Sequence, residues 1–426
     1  MRQHVRHEAL RIPRLLLLRK ANGDQCQLND QIYPGGLPSL PCIDLMSMWP
    51  RLPVGMSTKL RVLVAGASIA GLTAAKAFHD LGWQVDLVER RETPDAIPTG
   101  LFIPANGMRA FAALGVAGAL RSRGREIARL SMRATGNDTS HALLADVWPG
   151  VGPSVAIERE SAVRALLASC PVPVQWGNGA QGLHQRGNQV SVTLSDGTSP
   201  DYDLVVGADG VNSTVRLWTW PGSGAEYPGD CWWRGVVTCP ADLEDWYAYR
   251  CRKGIFLAMP IGEGLAYWAA GTFPAKPFDD PVAGRAARVR ERFSDADGPH
   301  AEILAQVKDD SRVHFSPARQ ILVGHPVRGR VVLVGDAAHA TGPSMAQGAS
   351  MAAEDVQVLT RELAGEASID TALSRYAIRR APRTSHVHEA TAMRNRLSAQ
   401  PADPATVIQQ WPKLSVLSFA ALVPAP

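Results

Sequence analysis

The sequence predicts an α/β protein, a Rossmann-like domain interrupted by an inserted, mainly antiparallel β domain. Three observations predict it. A strand–turn–helix–strand unit opens at Leu60 with a degenerate glycine fingerprint. Two later apolar strands each run into an aspartate beside a glycine. Between about 220 and 324 the composition shifts to Trp, Tyr, Gly and short β-like runs. At 426 residues the chain has room for two domains, or one large domain with an insertion.

"LRVLVA", Leu60–Ala65, is a short β-branched apolar run, as expected of a buried parallel strand. Gly66 follows, then a helical pattern with Ala74, Ala77, Phe78 and Leu81 on one face, stopped by Gly82. The next strand, "QVDLVER", places Glu89 near its end, where an acidic residue accepts ribose hydroxyls in a dinucleotide site. The loop itself reads Gly66-x-Ser68-x-x-Gly71 instead of G-x-G-x-x-G. Gly66 makes the tight turn, and Gly71 lets the helix pack close to the strand. Ser68 sits where the backbone approaches a pyrophosphate at the helix N-terminus. It adds only a small side chain, and its hydroxyl can itself donate to a phosphate. Alone, this fingerprint is equally compatible with an ordinary α/β crossover.

Two further motifs decide for a nucleotide. "DLVVGADGVNSTVR", Asp203–Arg216, is a buried strand running into Ala208-Asp209-Gly210. "GRVVLVGDAAHATGPSMAQGASMAAED", Gly329–Asp355, is another strand, then Gly335-Asp336, a proline-containing loop and a helix. Asp336 at a strand end can bind a polyol hydroxyl. The loop from Pro343 through Gln347 and Gly348 offers backbone amides to a ring that gains negative charge on reduction.

With these motifs in this order, the sequence resembles the FAD-dependent aromatic hydroxylases, single-component flavoprotein monooxygenases of the para-hydroxybenzoate hydroxylase type. The resemblance runs from about Lys59 to Arg383. It implies a Rossmann-like FAD-binding domain with an inserted, mainly antiparallel β substrate domain. "IERESAVRALL" matches the family's Arg-x-x-Leu element and carries an FAD-contacting arginine onto Arg159, with Ala162 in place of the leucine. "CWWRGVV" and "FLAMPIGEGLAYWAA" resemble substrate-domain strands of the salicylate- and urate-hydroxylase-like branch. By the same resemblance Gly66, Ser68, Ile69, Ala70 and Gly71 hold the nucleotide, with Glu89 and its neighbour Arg90 at the ribose. Asp209 lies near the pyrophosphate, Asp336 at the ribityl chain, and Pro343, Ala346, Gln347, Gly348 and Ala349 beside the isoalloxazine. Where the family has Gly-Gln-Gly this chain has Ala346-Gln347-Gly348, adding a methyl that bears on how freely the ring swings between inner and outer positions.

The implied reaction belongs to the cofactor. NADH or NADPH, bound transiently, reduces FAD; dioxygen adds at the flavin's carbon 4a; the hydroperoxide delivers oxygen to an electron-rich aromatic or unsaturated small molecule. A single fingerprint, where two-Rossmann reductases carry two, fits that transient reductant. A halogenase on the same domain is disfavoured: "LWTWPGS" offers Trp218 and Trp220 without the Ile-Pro ending, and the region after Glu89 has no lysine. A reductase acting on a prenyl chain, and a flavin-binding protein without catalysis, remain as alternatives.

The expected organisation is a leader over 1–58, an FAD domain from 59–219 and 325–384, a substrate domain over 220–324, and a C-terminal tail or dimer-contact arm over 385–426, in a monomer or homodimer. Hairpins are expected around Gly136-Asn137-Asp138 and Asp196-Gly197. The Arg-, Pro- and Leu-rich leader reads as an upstream extension before a start at Met56, with a targeting peptide as the competing idea. Net charge is +4, three of it before Lys59, so the basic balance points to no nucleic-acid partner. No aliphatic run in the sequence suffices for a membrane span. Six cysteines without a C-x-x-C pair read as reduced thiols of a cytoplasmic protein, with no metal site.

Among substrate candidates, Trp233 and Trp268 are equally readable as pocket wall or sheet core, whereas Trp232 and Trp246 read as core. Arg234 pairs with an anionic substrate or lies on the surface. His339 reads as a structural histidine satisfied by backbone, and His386 with His388 as no metal pair on what looks like an extended strand. Asp309 and Asp310 read as a solvated loop, and Glu354 and Asp355 as braces for the final helix.

Overall fold

The computed structural model describes residues 60–94, 97–134, 139–366, 368–399, 416 and 418–426. The leader, the Met56 start and the turn at Gly136-Asn137-Asp138 lie outside the described residues. The fingerprint strand is Arg61–Ala65, its helix Ile69–Asp80 and the following strand Gln84–Glu89. They sit in a six-stranded sheet in the order Val327–Arg328, Val331–Leu333, Leu204–Gly207, Arg61–Ala65, Gln84–Glu89, Val174–Trp176. All pairs are parallel except the first. Val62, Leu63 and Val64 are fully buried, because helices and a small sheet cover both faces of a parallel sheet.

The second large sheet has seven strands: His314–Pro317, Cys231–Thr238, Leu265–Thr272, Gly254–Gly262, Trp246–Cys251, Arg129–Ala134 and Thr139–Leu143. It is antiparallel throughout except where Trp246–Cys251 runs parallel to Arg129–Ala134. The last two strands form the expected hairpin, but that hairpin belongs to this sheet and not to the nucleotide half. The expected division at 219/220 is therefore corrected. The edge left open by Trp246–Cys251 is filled by an earlier stretch of chain, a tertiary pairing with no local sequence signal. The Asp196-Gly197 hairpin is present, with Val190 opposite Tyr202 and Gly197 at φ +85°.

Beyond residue 384 the chain departs from expectation. One helix runs Ile369–Ala399, straight through the proposed start of the tail and with Pro382 inside it. Proline removes a helical hydrogen bond at a cost of about 3 kcal/mol, so propensity alone would end the helix there. Tertiary ion pairs hold it instead. Arg380 reaches Asp355 at 2.7 Å and Glu354 at 3.0 Å, and Arg383 reaches both Glu354 oxygens at 2.6 Å. Glu354 and Asp355 lie on the helix Gly348–Gly365 and are fully buried, so they brace the long helix as expected. The end of the chain packs as well, with Phe419 and Leu422 buried and Arg383 donating to the carbonyls of Leu422 and Pro424.

Asp310 is more than a solvated loop residue. It accepts the amides of Gly284 and Ala286 and so caps the helix Arg285–Arg292. Asp309 caps the short turn that follows it.

Burial pushes the Glu354 and Asp355 carboxyls up, but their guanidinium, histidine and amide partners more than offset it, leaving both below their ordinary values. A depressed folded-state value means stability that is complete above the ordinary 4.5 and 3.8 and lost only as pH falls below them. Replacing Glu354 by alanine should cost about 3–5 kcal/mol, because two guanidiniums lose a buried partner. Urea unfolding at pH 7 measures it, and the gap between wild type and variant should narrow as the pH is taken below 4.

Candidate active site

A cavity of about 1360 Å³ is lined by residues of both large sheets. One drug-sized ligand occupies roughly 300–1,000 Å³, so this space suits two ligands end to end. At one end lie Gly66, Ser68, Ile69, Ala70, Glu89 and Arg90, followed by Arg159, Asp209 and Asp336, and then Pro343, Ala346, Gln347, Gly348 and Ala349. Gly71 does not line it. A Cβ there would stand 1.7 Å from the Gly66 carbonyl oxygen, so its missing side chain lets the helix start against the turn.

The nucleotide end is shaped by close backbone approach. Gly66 has φ +105°, and a Cβ would come 2.5 Å from the Ala208 oxygen. Ser68 caps the helix Ile69–Asp80 with its backbone only, and its hydroxyl makes no capping hydrogen bond among the described residues. Glu89 is buried, and its carboxylate accepts from the Ala67 amide at 3.0 Å and the Arg91 amide at 3.1 Å. Burial raises its carboxyl, but these donors and the Arg91 guanidinium bring it below 4.5, so it is an ionised acceptor at neutral pH. Asp209 spends one oxygen on the amides of Thr214 and Val215, capping the helix Thr214–Thr219, while Oδ1 is buried with no partner among the described residues. The Nε of Arg159 is likewise buried and unpartnered among them. Unmet polar atoms on residues that line one cavity fit a polar ligand bound there.

Gln347 is fully buried, and its side-chain amide exchanges hydrogen bonds with Asn106 at 2.9 and 3.3 Å. That side chain is therefore committed to the protein. Ala346 adopts the left-handed conformation at φ +50°, one of two non-glycine residues with positive φ among the described residues. The conformation turns the chain into the helix Gly348–Gly365, whose N-terminus carries no acidic residue and leaves its amides to the cavity.

On the sheet side the alternation of strands corrects the expected tryptophans. Trp232 and Arg234 line the cavity, whereas Trp233, between them, points to the opposite face. Trp233 packs among Phe278, Phe293 and Phe315 and donates to Asp280 at 2.7 Å; Trp268 stacks on Phe256 in the same core. Neither lines the cavity. Trp246, read as core, does. Arg234 is partly buried and donates to Ser316 Oγ at 2.9 Å. Tyr267 is a further lining residue, one place before Trp268 and therefore on the other face. Its ring lies over Gly100, where a Cβ would come 2.4 Å from it. Burial raises the Tyr267 hydroxyl pKa despite the Arg234 cation, so at neutral pH it is a donor and not a base. Strand alternation through Arg234 could have pointed to Trp232. Nothing in the sequence pointed to Arg394, which lines the same cavity from the long helix.

His339 is satisfied by a side chain rather than by backbone: its Nε2 lies 2.5 Å from Asp355 Oδ2. His386 and His388 lie on the long helix, not on an extended strand, and bond to the carbonyls of Ser418 and His339. No cluster of potential metal ligands occurs among the described residues. The four described cysteines form no disulfide, and no described helix is long and apolar enough to cross a membrane.

The fingerprint loop, the strand-end carboxylates and a cavity continuing onto a second sheet define a nucleotide-binding α/β protein with space for a second small molecule. Residues 59–391 match the model of the FAD binding domain family, and the chain belongs to that family. It is 31% identical to aurachin C monooxygenase/isomerase of Stigmatella aurantiaca, over 78% of this chain and 87% of that protein. It is 30% identical to 3-amino-4-hydroxybenzoate 2-monooxygenase of Streptomyces cremeus, over 77% and 85%. The Klebsiella pneumoniae HpxO structure, complexed with FAD and uric acid, superposes with a TM-score of 0.76 at 22% identity, covering 85% of this chain and 96% of that one. The protein is an FAD-dependent monooxygenase.

An L-residue at positive φ costs about 1 kcal/mol relative to glycine. Ala346→Gly should therefore stabilise the flavin-free protein by up to about 1 kcal/mol, read as a rise in its thermal midpoint.

Proposed function

We propose that the protein uses NADH or NADPH and dioxygen to hydroxylate an electron-rich aromatic ring held against the seven-stranded sheet. The observation that carries this reading is the continuity of the cavity. It passes from the fingerprint loop and the carboxylates of Glu89, Asp209 and Asp336 to a wall of Met132, Trp246, Leu257 and Met259. The space is polar and anion-seeking at one end, apolar at the other.

The residues present fit FAD. The amides of residues 66–70 and the Ser68 hydroxyl would take the phosphates, Glu89 the adenosine ribose, Arg159 and Asp209 the middle of the molecule and Asp336 the ribityl chain. The loop Pro343–Ala349 would border the ring. When bound, FAD supplies the redox chemistry, accepting electrons from the nicotinamide and activating dioxygen. The chain's own tasks are positional. The N-terminus of Gly348–Gly365 presents partial positive charge where negative charge accumulates. The apolar wall excludes water, and Tyr267 offers a hydroxyl donor to a ring substituent. Among the described residues, no carboxylate besides Glu89, Asp209 and Asp336 lines the cavity, so no base is assigned at the apolar wall.

The test is NADH or NADPH oxidation measured together with oxygen uptake by the FAD-loaded protein, across phenols, aromatic acids and indoles. One compound should accelerate both and leave hydroxylated; oxygen uptake unlinked to every compound would return the reductase alternative. Separately, Glu89→Ala should weaken FAD binding about tenfold or more, as expected for removing a charged acceptor. Fluorescence of released flavin measures this, and wild-type affinity in the variant would remove Glu89 from the ribose site.

A further inference from the structure

The substrate end of the cavity has an unbalanced charge. Among the described residues, the carboxylates that line the cavity are Glu89, Asp209 and Asp336, and all three belong to the nucleotide motifs. Arg394, on the long helix, lines the same cavity as the apolar wall. The Nη1 of Arg394 is shut off from solvent and has no hydrogen-bond partner among the described residues. Its guanidinium carbon lies over the Phe419 ring, 6.0 Å from the centroid. Two fully buried arginines are paired instead: Arg216 donates to three carbonyls, and Arg380 to two carboxylates. At the same end Arg234 is engaged by Ser316 and Arg250 by the Ser398 carbonyl. Burial lowers the Arg394 pKa to about 10, which leaves it a cation at neutral pH.

Arg394 is half-buried, and a guanidinium nitrogen shut off from water with no partner among the described residues is costly, so its place needs a reason. Its backbone is also well fixed. The next residue, Asn395, bonds to Ser344 of the cavity loop at 2.5 Å and to Asp230, beside the seven-stranded sheet, at 2.9 Å. Thr391, one turn earlier, bonds to Thr341 of the same loop. The helix is thus clamped on both sides of the cavity where Arg394 enters it, as a preorganised ligand contact requires.

We propose that Arg394 is a specificity-determining residue that pairs with an anionic oxygen, carboxylate or phenolate, on the edge of an otherwise apolar ring. This rests on the monooxygenase reading and adds the substrate class to it. A guanidinium in an enclosed site favours a planar oxyanion over a neutral isostere through charge-assisted hydrogen bonds.

The experiment uses the FAD-loaded full chain at pH 8 and isothermal titration calorimetry, so no turnover is needed. The probes are two pairs matched in shape, 2-naphthoate with methyl 2-naphthoate and 4-nitrophenolate with 4-nitroanisole. At least one anion should bind about tenfold or more tightly than its neutral partner, and the pair that responds tells carboxylate from phenolate. In Arg394→Met that anion should lose about 10- to 100-fold in affinity, with the neutral partner changed less than about threefold. Arg394→Lys, which keeps the charge but not the fork, should fall between. Flavin content and the thermal midpoint of each variant report folding, and if the methionine variant fails to fold the lysine variant decides. No anion preference in the wild type, a preference that survives substitution, or equal weakening of both partners would overturn the proposal. Failure of the wild type to bind FAD, seen before any titration, would count against the monooxygenase reading instead.

Discussion

The buried charge cluster on the helix Gly348–Gly365 is the constraint around which the site is arranged. Asp355 accepts from the Gly335 amide, immediately before Asp336, and contacts His339 and Arg380. Glu354 accepts from Asn106, Arg380 and Arg383. Asn106 passes the connection to Gln347, and Arg383 passes it to the carbonyls near the chain's end. Charges in a low-dielectric interior are tolerated only when paired and hydrogen-bonded, so each segment has one position that satisfies the cluster. An apolar replacement of the whole cluster could be as stable. What it would lack is this geometric exactness at the strand end, the cavity loop and the long helix together.

The second consequence is that the cavity belongs to no single stretch of chain. Its nucleotide end comes from the parallel sheet, its apolar wall from the seven-stranded sheet, and Arg394 from the long helix. Tyr267 and Gly100 show how closely the two halves interlock, since only a glycine leaves space for the ring. The hairpin Arg129–Leu143 crosses the boundary in the other direction and places Leu130 and Met132 in the wall. A substrate pocket assembled in this way is specified by strand pairing and helix docking, each set by distant residues.

Much of the nucleotide end was legible because its signals are local. Gly66, Gly71 and Glu89 are separated by a turn, a helix and a strand of regular length, and backbone sterics assign each its place. The aspartates at 209 and 336 follow apolar strands directly. Ser68 and Ala346, the two departures from the expected glycines, were visible as letters. That Ala346 carries positive φ was not, since backbone angle depends on the loop it joins. The long helix was hidden by Pro382 and a polar composition that its tertiary ion pairs override. The choice left open for Trp233, and the cavity contact of Trp232, were not legible because an alternating strand fixes that neighbours face apart without saying which face meets the cavity.

The sequence by itself determined the parallel sheet, the order of the nucleotide motifs and the chemical types that line one end of the cavity. These follow from local periodicity and from the backbone needs of glycine, proline and strand-end carboxylates. Only the tertiary structure decided which sheet face is the pocket wall, where the hairpin Arg129–Leu143 belongs, and that Arg394 lines the cavity with its Nη1 unpartnered among the described residues. Those outcomes rest on pairings between residues tens to hundreds of positions apart, and the strength of such contacts is set by burial, which no short stretch of sequence contains.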